Sequence, residues 1–159
     1  MYRRILLAYD GSVEGRSALR EGALLAMHCR ASVYLLSVAA GTAGVMIAEG
    51  TYAGAISRQE AQVRTIFEEG VARLRTMGFS PTARLVSGDP AQEICAFARE
   101  VEADLVVVGH RRRSLLERWW SGPSGAWLSD QLQCSLLVSR NIVDDETFNA
   151  ALASAGATA

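Results

Sequence analysis

Short aliphatic runs alternate along this chain with longer stretches in which apolar positions recur every three or four residues. The run Ile5-Leu6-Leu7-Ala8-Tyr9 predicts a strand, and Asp10-Gly11-Ser12 then opens a helix that reaches about residue 30. ASVYLLSVA, residues 31–39, reads as a second strand. Residues 40–56 carry Gly41, Gly44, Gly50 and Gly54 and read as a long loop. Over 57–77 the residues Val63, Phe67, Val71 and Leu74 fall four, four and three apart, one stripe of a helix. Pro81 stops that helix, and TARLVSG (82–88) predicts the third strand.

The next helix carries the clearest signals. Asp89 can cap it, Pro90 suits its first turn, and Ala91, Ile94, Cys95, Ala98 and Val101 share one face. DLVVVG (104–109) is apolar without interruption, as a strand covered on both faces should be. A helix over about 123–132 and a last strand, SLLVSR (135–140), complete the pattern. The tail 141–159, acidic and then alanine-rich, reads either as frayed chain or as a short helix and is left open between the two.

Strands alternating with helices predict an α/β fold, a doubly wound parallel sheet with helices on both faces. At 159 residues it should be a single domain. Ligands of such sheets sit beyond the carboxyl ends of the strands, where the strand order reverses. Asp10, Val38, the 40–56 loop, Ser87-Gly88-Asp89 and the 109–124 stretch lie at those ends.

That last stretch, GHRRRSLLERWWSGPSG, has unusual chemistry. Gly109 at a strand end suits either close approach of backbone to a ligand or an ordinary strand terminus. Gly122-Pro123-Ser124 marks a helix start, and helix amino ends attract anions. Arg111, Arg112 and Arg113 could neutralise phosphate oxygens or simply face water. Trp119 and Trp120 suit packing or a protein contact better than base stacking. Asp10 could cap the first helix or accept a hydrogen bond from a ribose hydroxyl or an exocyclic amine.

Composition narrows the function. All 16 basic residues are arginine, which excludes a Walker-type lysine, Schiff-base chemistry and a receiver-domain phosphoacceptor site. With a net charge of -1 the chain is not built for nucleic acid. Two histidines make a histidine-rich metal site unexpected, and Cys29, Cys95 and Cys134 suit structural roles in a reducing compartment. MYRRILLAY is too short for a signal peptide and no stretch approaches 18 apolar residues, so a cytoplasmic location without membrane insertion is expected. No G-x-S-x-G, H-E-x-x-H or G-x-G-x-x-G motif appears.

LLAYDGS, SGDPAQEI, DLVVVGHR and the closing CSLLVSR together resemble the universal stress protein family, in order and spacing, over residues 3–140. The resemblance implies a domain over 1–140, a five-stranded sheet in the order 3-2-1-4-5, and a cytoplasmic homodimer paired through strand 135–140. ATP-binding members carry glycine, two residues, glycine, nine residues, then glycine and Ser/Thr. On this chain those positions are Gly109, Arg112, Gly122 and Pro123, so two of the four depart, with Ser124 a substitute. The resemblance also puts Ala8 and Asp10 near the adenosine, Val38 near adenine and Val108 beside the strand-end glycine. It implies a stress-response regulator that binds ATP or ADP with Mg through Ala8, Asp10, Val38, Val108, Gly109 and Gly122, and the chemistry of the loop adds Arg111, Arg112 and Ser124 as contacts to the phosphates. No general base for the γ-phosphate is evident, so hydrolysis should be slow or absent. The alternative is an interaction protein of the same fold that binds no nucleotide and docks an unknown protein partner through the 110–122 or 40–56 loops.

Overall fold

The computed structural model describes residues 1–40, 53–110, 130–140 and 143–156. Its elements are β1 (Arg4–Ala8), α1 (Val13–Cys29), β2 (Ser32–Ala40), α2 (Ala53–Thr76), β3 (Thr82–Gly88), α3 (Pro90–Glu100), β4 (Leu105–Gly109), β5 (Ser135–Ser139) and α4 (Asp145–Gly156). The five strands form one parallel sheet in the order β3-β2-β1-β4-β5. This is the doubly wound order, with the reversal between β1 and β4.

Strand alternation sorts the core into two layers. Ile5, Leu7, Val33, Leu35, Leu105 and Val107 lie on one face beneath Ala18, Leu19, Ala23 and Ala26 of α1 and Leu74 of α2. Leu6, Leu36, Val106 and Val108 lie on the other, beneath Ala91, Ile94, Cys95, Phe97 and Ala98 of α3. Each central strand is buried on both sides, which explains why the sequence there is apolar without a break.

The predicted elements that fall among the described residues are recovered with shifted ends. The Asp89 carboxylate accepts from the Gln92 amide at 3.0 Å, and Pro90 takes the first helical position of α3. The α2 stripe buries Leu74 fully and packs Phe67 and Val71 against the core, joined by Ile66. Helix α2 begins at Ala53, so the segment expected to be loop through residue 56 is helical from 53 onward. The rest of that loop, and most of the helix expected over 123–132, lie outside the described residues.

The tail adds an element. Helix α4 folds back on α1, with Phe148 only 6% exposed. The Arg20 guanidinium lies 5.4 Å from the centre of the Phe148 ring and donates to the Val143 carbonyl at 2.7 Å. One buried ring and one arginine thus dock a helix that is otherwise alanine-rich.

Candidate functional site

The carboxyl ends of β1, β2 and β4 meet where the strand order reverses. Ala8 pairs with Leu36, Val38 with Val86, and Val108 with Val138. Leu7 pairs with Val107, so the register carries Ala8 to the side of Val108. Ala8, Val38 and Val108 all belong to the α3 face of the sheet. Ala8 and Val38 are half-buried at the strand tips, and Val108 is buried. Together they make a small apolar floor.

The chain leaves β1 in a braced turn. The Tyr9 amide donates to the Leu36 carbonyl at 2.9 Å, and the buried Ser37 hydroxyl donates to the Tyr9 carbonyl at 2.8 Å. Gly11 then adopts φ +71, where a Cβ would stand 2.8 Å from Ile66 Cγ2. Only glycine meets both the left-handed backbone and that contact. Ser12 is the N-cap of α1, its hydroxyl oxygen accepting from the Gly15 amide at 2.9 Å. Asp10 does not cap the helix in person. Its carboxylate accepts from the Ser12 amide at 3.0 Å and from the Ser12 hydroxyl at 2.5 Å, which orients the capping oxygen. Asp10 itself is exposed.

Charge around this turn is anionic. Asp10 and Glu14 both stand at the amino end of α1, where carboxylates satisfy the helix dipole. A phosphate group would be repelled there, whereas a neutral hydroxyl or amine can donate to Asp10. Behind the turn, Glu69 accepts from Arg16 at 3.0 and 3.1 Å and from Arg73 at 2.8 Å. The Arg16 hydrogen bond, aided by Arg73, holds the Glu69 carboxyl down at about 2. The same contacts push the Arg16 guanidinium up, and burial raises the Tyr9 phenol.

Gly109 has a second explanation. A Cβ there would lie 2.7 Å from the backbone carbonyl of Glu14 and 2.9 Å from the Gly15 nitrogen. Close seating of α1 on β4 already requires glycine at this position.

Of the residues expected to form a site, Ala8, Asp10, Val38, Val108 and Gly109 gather at this end of the sheet. Arg111, Arg112, Gly122 and Ser124, with Trp119, Trp120 and Pro123, lie outside the described residues. Sequence reasoning overlooked Ser37, whose buried hydroxyl has no local signal, and the Arg16–Glu69 pair, whose members stand far apart in the chain. It did mark Asp10-Gly11-Ser12 as the helix start and offered capping as one of two roles for Asp10, but it did not single out Ser12 as the cap. Among the described residues no group of three or more His, Cys, Asp or Glu side chains could hold a metal ion. Among them, too, no helix is long and apolar enough to cross a membrane.

Comparison with known proteins agrees with this architecture. A universal stress protein of Methanocaldococcus jannaschii is 27% identical over 146 residues, 87% of this chain and 82% of the relative. A universal stress protein crystallised in complex with cAMP superposes with a TM-score of 0.65 at 21% identity, covering 87% of this chain and 97% of its own. The universal stress protein of Archaeoglobus fulgidus in complex with dAMP gives 0.60 at 20% identity, covering 86% and 97%. The sequence model of the universal stress protein family matches residues 1–140. With its sheet order and the match over nearly the whole domain, the chain belongs to the universal stress protein family.

Proposed function

We propose that this chain is a cytoplasmic, homodimeric stress-response regulator that binds an adenine nucleotide, ATP or ADP with Mg, and hydrolyses it slowly or not at all. One observation carries the reading: Ala8, Val38 and Val108 lie in one layer at the strand tips, with the exposed Asp10 carboxylate beside them. An apolar floor next to an acceptor suits adenosine, whose base is flat and apolar on its face and whose ribose carries hydroxyl donors. The acidic start of α1 directs the phosphates away from Asp10, toward the segment after Gly109. Arg111, Arg112 and Ser124 contact the phosphates there, and Gly122 admits them. Mg is held by the phosphate oxygens themselves. Two proteins of this fold whose structures hold cAMP and dAMP support an adenine ligand. The homodimer forms through strand β5.

A second reading has its own support. Gly109 is needed for the seating of α1 whether or not a ligand binds, so it carries no information about phosphate. On that reading the chain binds no nucleotide and docks a protein partner through the 110–122 or 40–56 loops.

Isothermal titration separates the two. Mg-ATP or Mg-ADP should bind saturably with one site per chain. Asp10→Asn should weaken binding by about tenfold, the ~1.4 kcal/mol expected when a charge-assisted hydrogen bond becomes neutral. Silence at millimolar nucleotide would remove the proposal and leave the second reading.

A further inference from the structure

A cleft of about 400 Å³ opens at the amino-terminal ends of β4 and β5, at the opposite end of the sheet from Asp10. Its walls include Cys95, Ala98 and Arg99 from α3 and Leu132, Gln133 and Cys134 from the lead-in to β5. Two of the three cysteines of the chain therefore face one space, although they come from different elements. Both are free thiols packed against the same core layer. They differ in access: Cys95 is 2% exposed, whereas Cys134 is half-buried.

We propose that Cys95 and Cys134 form an oxidation site, in which a hydroperoxide admitted by this cleft converts the two thiols into an intramolecular disulfide. Cys134 is the attacking residue, because it is the more accessible. Its thiolate takes an oxygen from the hydroperoxide, the O–O bond breaks, and the departing oxygen leaves as water or alcohol after taking up the thiol proton. Cys134 is then a sulfenic acid. Cys95 attacks that sulfur, the S–S bond forms, and the S–O bond breaks to release water with the Cys95 proton. Two thiols are oxidised by two electrons and one hydroperoxide is reduced by two.

The surroundings set the pace. The Arg99 Nε–H donates to the Cys95 carbonyl at 3.2 Å, which keeps a cation beside Cys95. Burial nevertheless pushes both thiols above their ordinary range, and the Asp104 carboxylate adds to the effect at Cys134. Glu102 also lines the cleft. The site is therefore slow at neutral pH and responds to sustained oxidant rather than to traces. Once formed, the bond ties α3 to the residue that enters β5.

The test is direct. Reduced full-length protein is treated with hydrogen peroxide, denatured, alkylated with N-ethylmaleimide, and mapped by mass spectrometry. The expected product has lost two alkylatable thiols per chain and carries one cross-linked peptide pair containing Cys95 and Cys134, reversed by dithiothreitol. Cys29→Ser should leave that product unchanged. Cys95→Ser should halt the sequence at a sulfenic acid on Cys134 that dimedone captures. The proposal is overturned if Cys95 and Cys134 both remain alkylatable while Cys29 is oxidised, or if Cys134 is found linked only to Cys29. The readout needs no nucleotide, so its result is independent of the proposed ligand.

Discussion

At Gly109 the missing side chain would have met backbone, not a movable side-chain end, with the Glu14 carbonyl carbon and oxygen both 2.7 Å away. Gly109→Ala must then push α1 off β4. We expect it to cost about 1–3 kcal/mol, the range for overpacking a tight interior, seen as a lower urea midpoint with an unchanged slope. Ser12→Ala should cost about 1 kcal/mol, because it removes the acceptor for the Gly15 amide and a donor to Asp10. Glu69 makes a pH prediction. Its carboxyl is held at about 2 against an ordinary 4.5, so its contribution is complete above 4.5 and fades as pH falls toward 2. With a side chain 30% exposed and two arginine partners, the network contributes about 1 kcal/mol at neutral pH. Glu69→Gln should lose that amount at pH 7 and flatten the acid limb of the stability curve between 4.5 and 2. An acid limb as steep as that of the parent protein would contradict the assignment.

Element by element, legibility followed the density of local signals. Helix α3 was readable in full because Asp89, Pro90 and the apolar positions from Ala91 to Ala98 state one helix three times over. The stripe of α2 was readable too, but its first turn was not. AGAI reads as loop because Gly54, unfavourable inside a helix, continues the spaced glycines at 41, 44 and 50 and outweighs its two alanines. Helix α4 was only one of two readings of the tail, because Phe148 is the one aromatic side chain in DETFNAALASAG and the partner that fixes it, Arg20, belongs to α1. Phe148→Ala should therefore release α4. A loss of about 2 kcal/mol, the transfer value of one buried ring, is expected, with hydrogen-exchange protection lost across 145–156 and kept in β1 and β4. Retained protection in α4 would show that other contacts hold it.

For the molecule as a whole, the parallel sheet and its two covered faces follow from strand–helix alternation, but the strand order does not. Many orders bury the same apolar runs, and the family resemblance singled out the observed one. The site was half legible by the same measure. Ala8, Val38 and Val108 look like any buried strand residues until the register sets them in one layer; strand-end topology pointed to Val38, and only the resemblance named Ala8 and Val108. Among the described residues, strand β5 pairs with β4 alone, which leaves its outer edge for a second copy. Light scattering should then return twice the 17.1 kDa chain mass, and a monomer at micromolar concentration would remove the β5 interface.

Amide chemical-shift mapping of the isotope-labelled protein during titration with Mg-ATP tests most directly whether, and where, the proposed nucleotide binds. The predicted result is a saturable set of shifts confined to the tips of β1, β2 and β4, centred on Tyr9-Asp10, Val38 and Val108-Gly109, and suppressed by Asp10→Asn. Shifts clustered instead at α3 and the entrance of β5, or a spectrum unmoved by millimolar nucleotide, would contradict it.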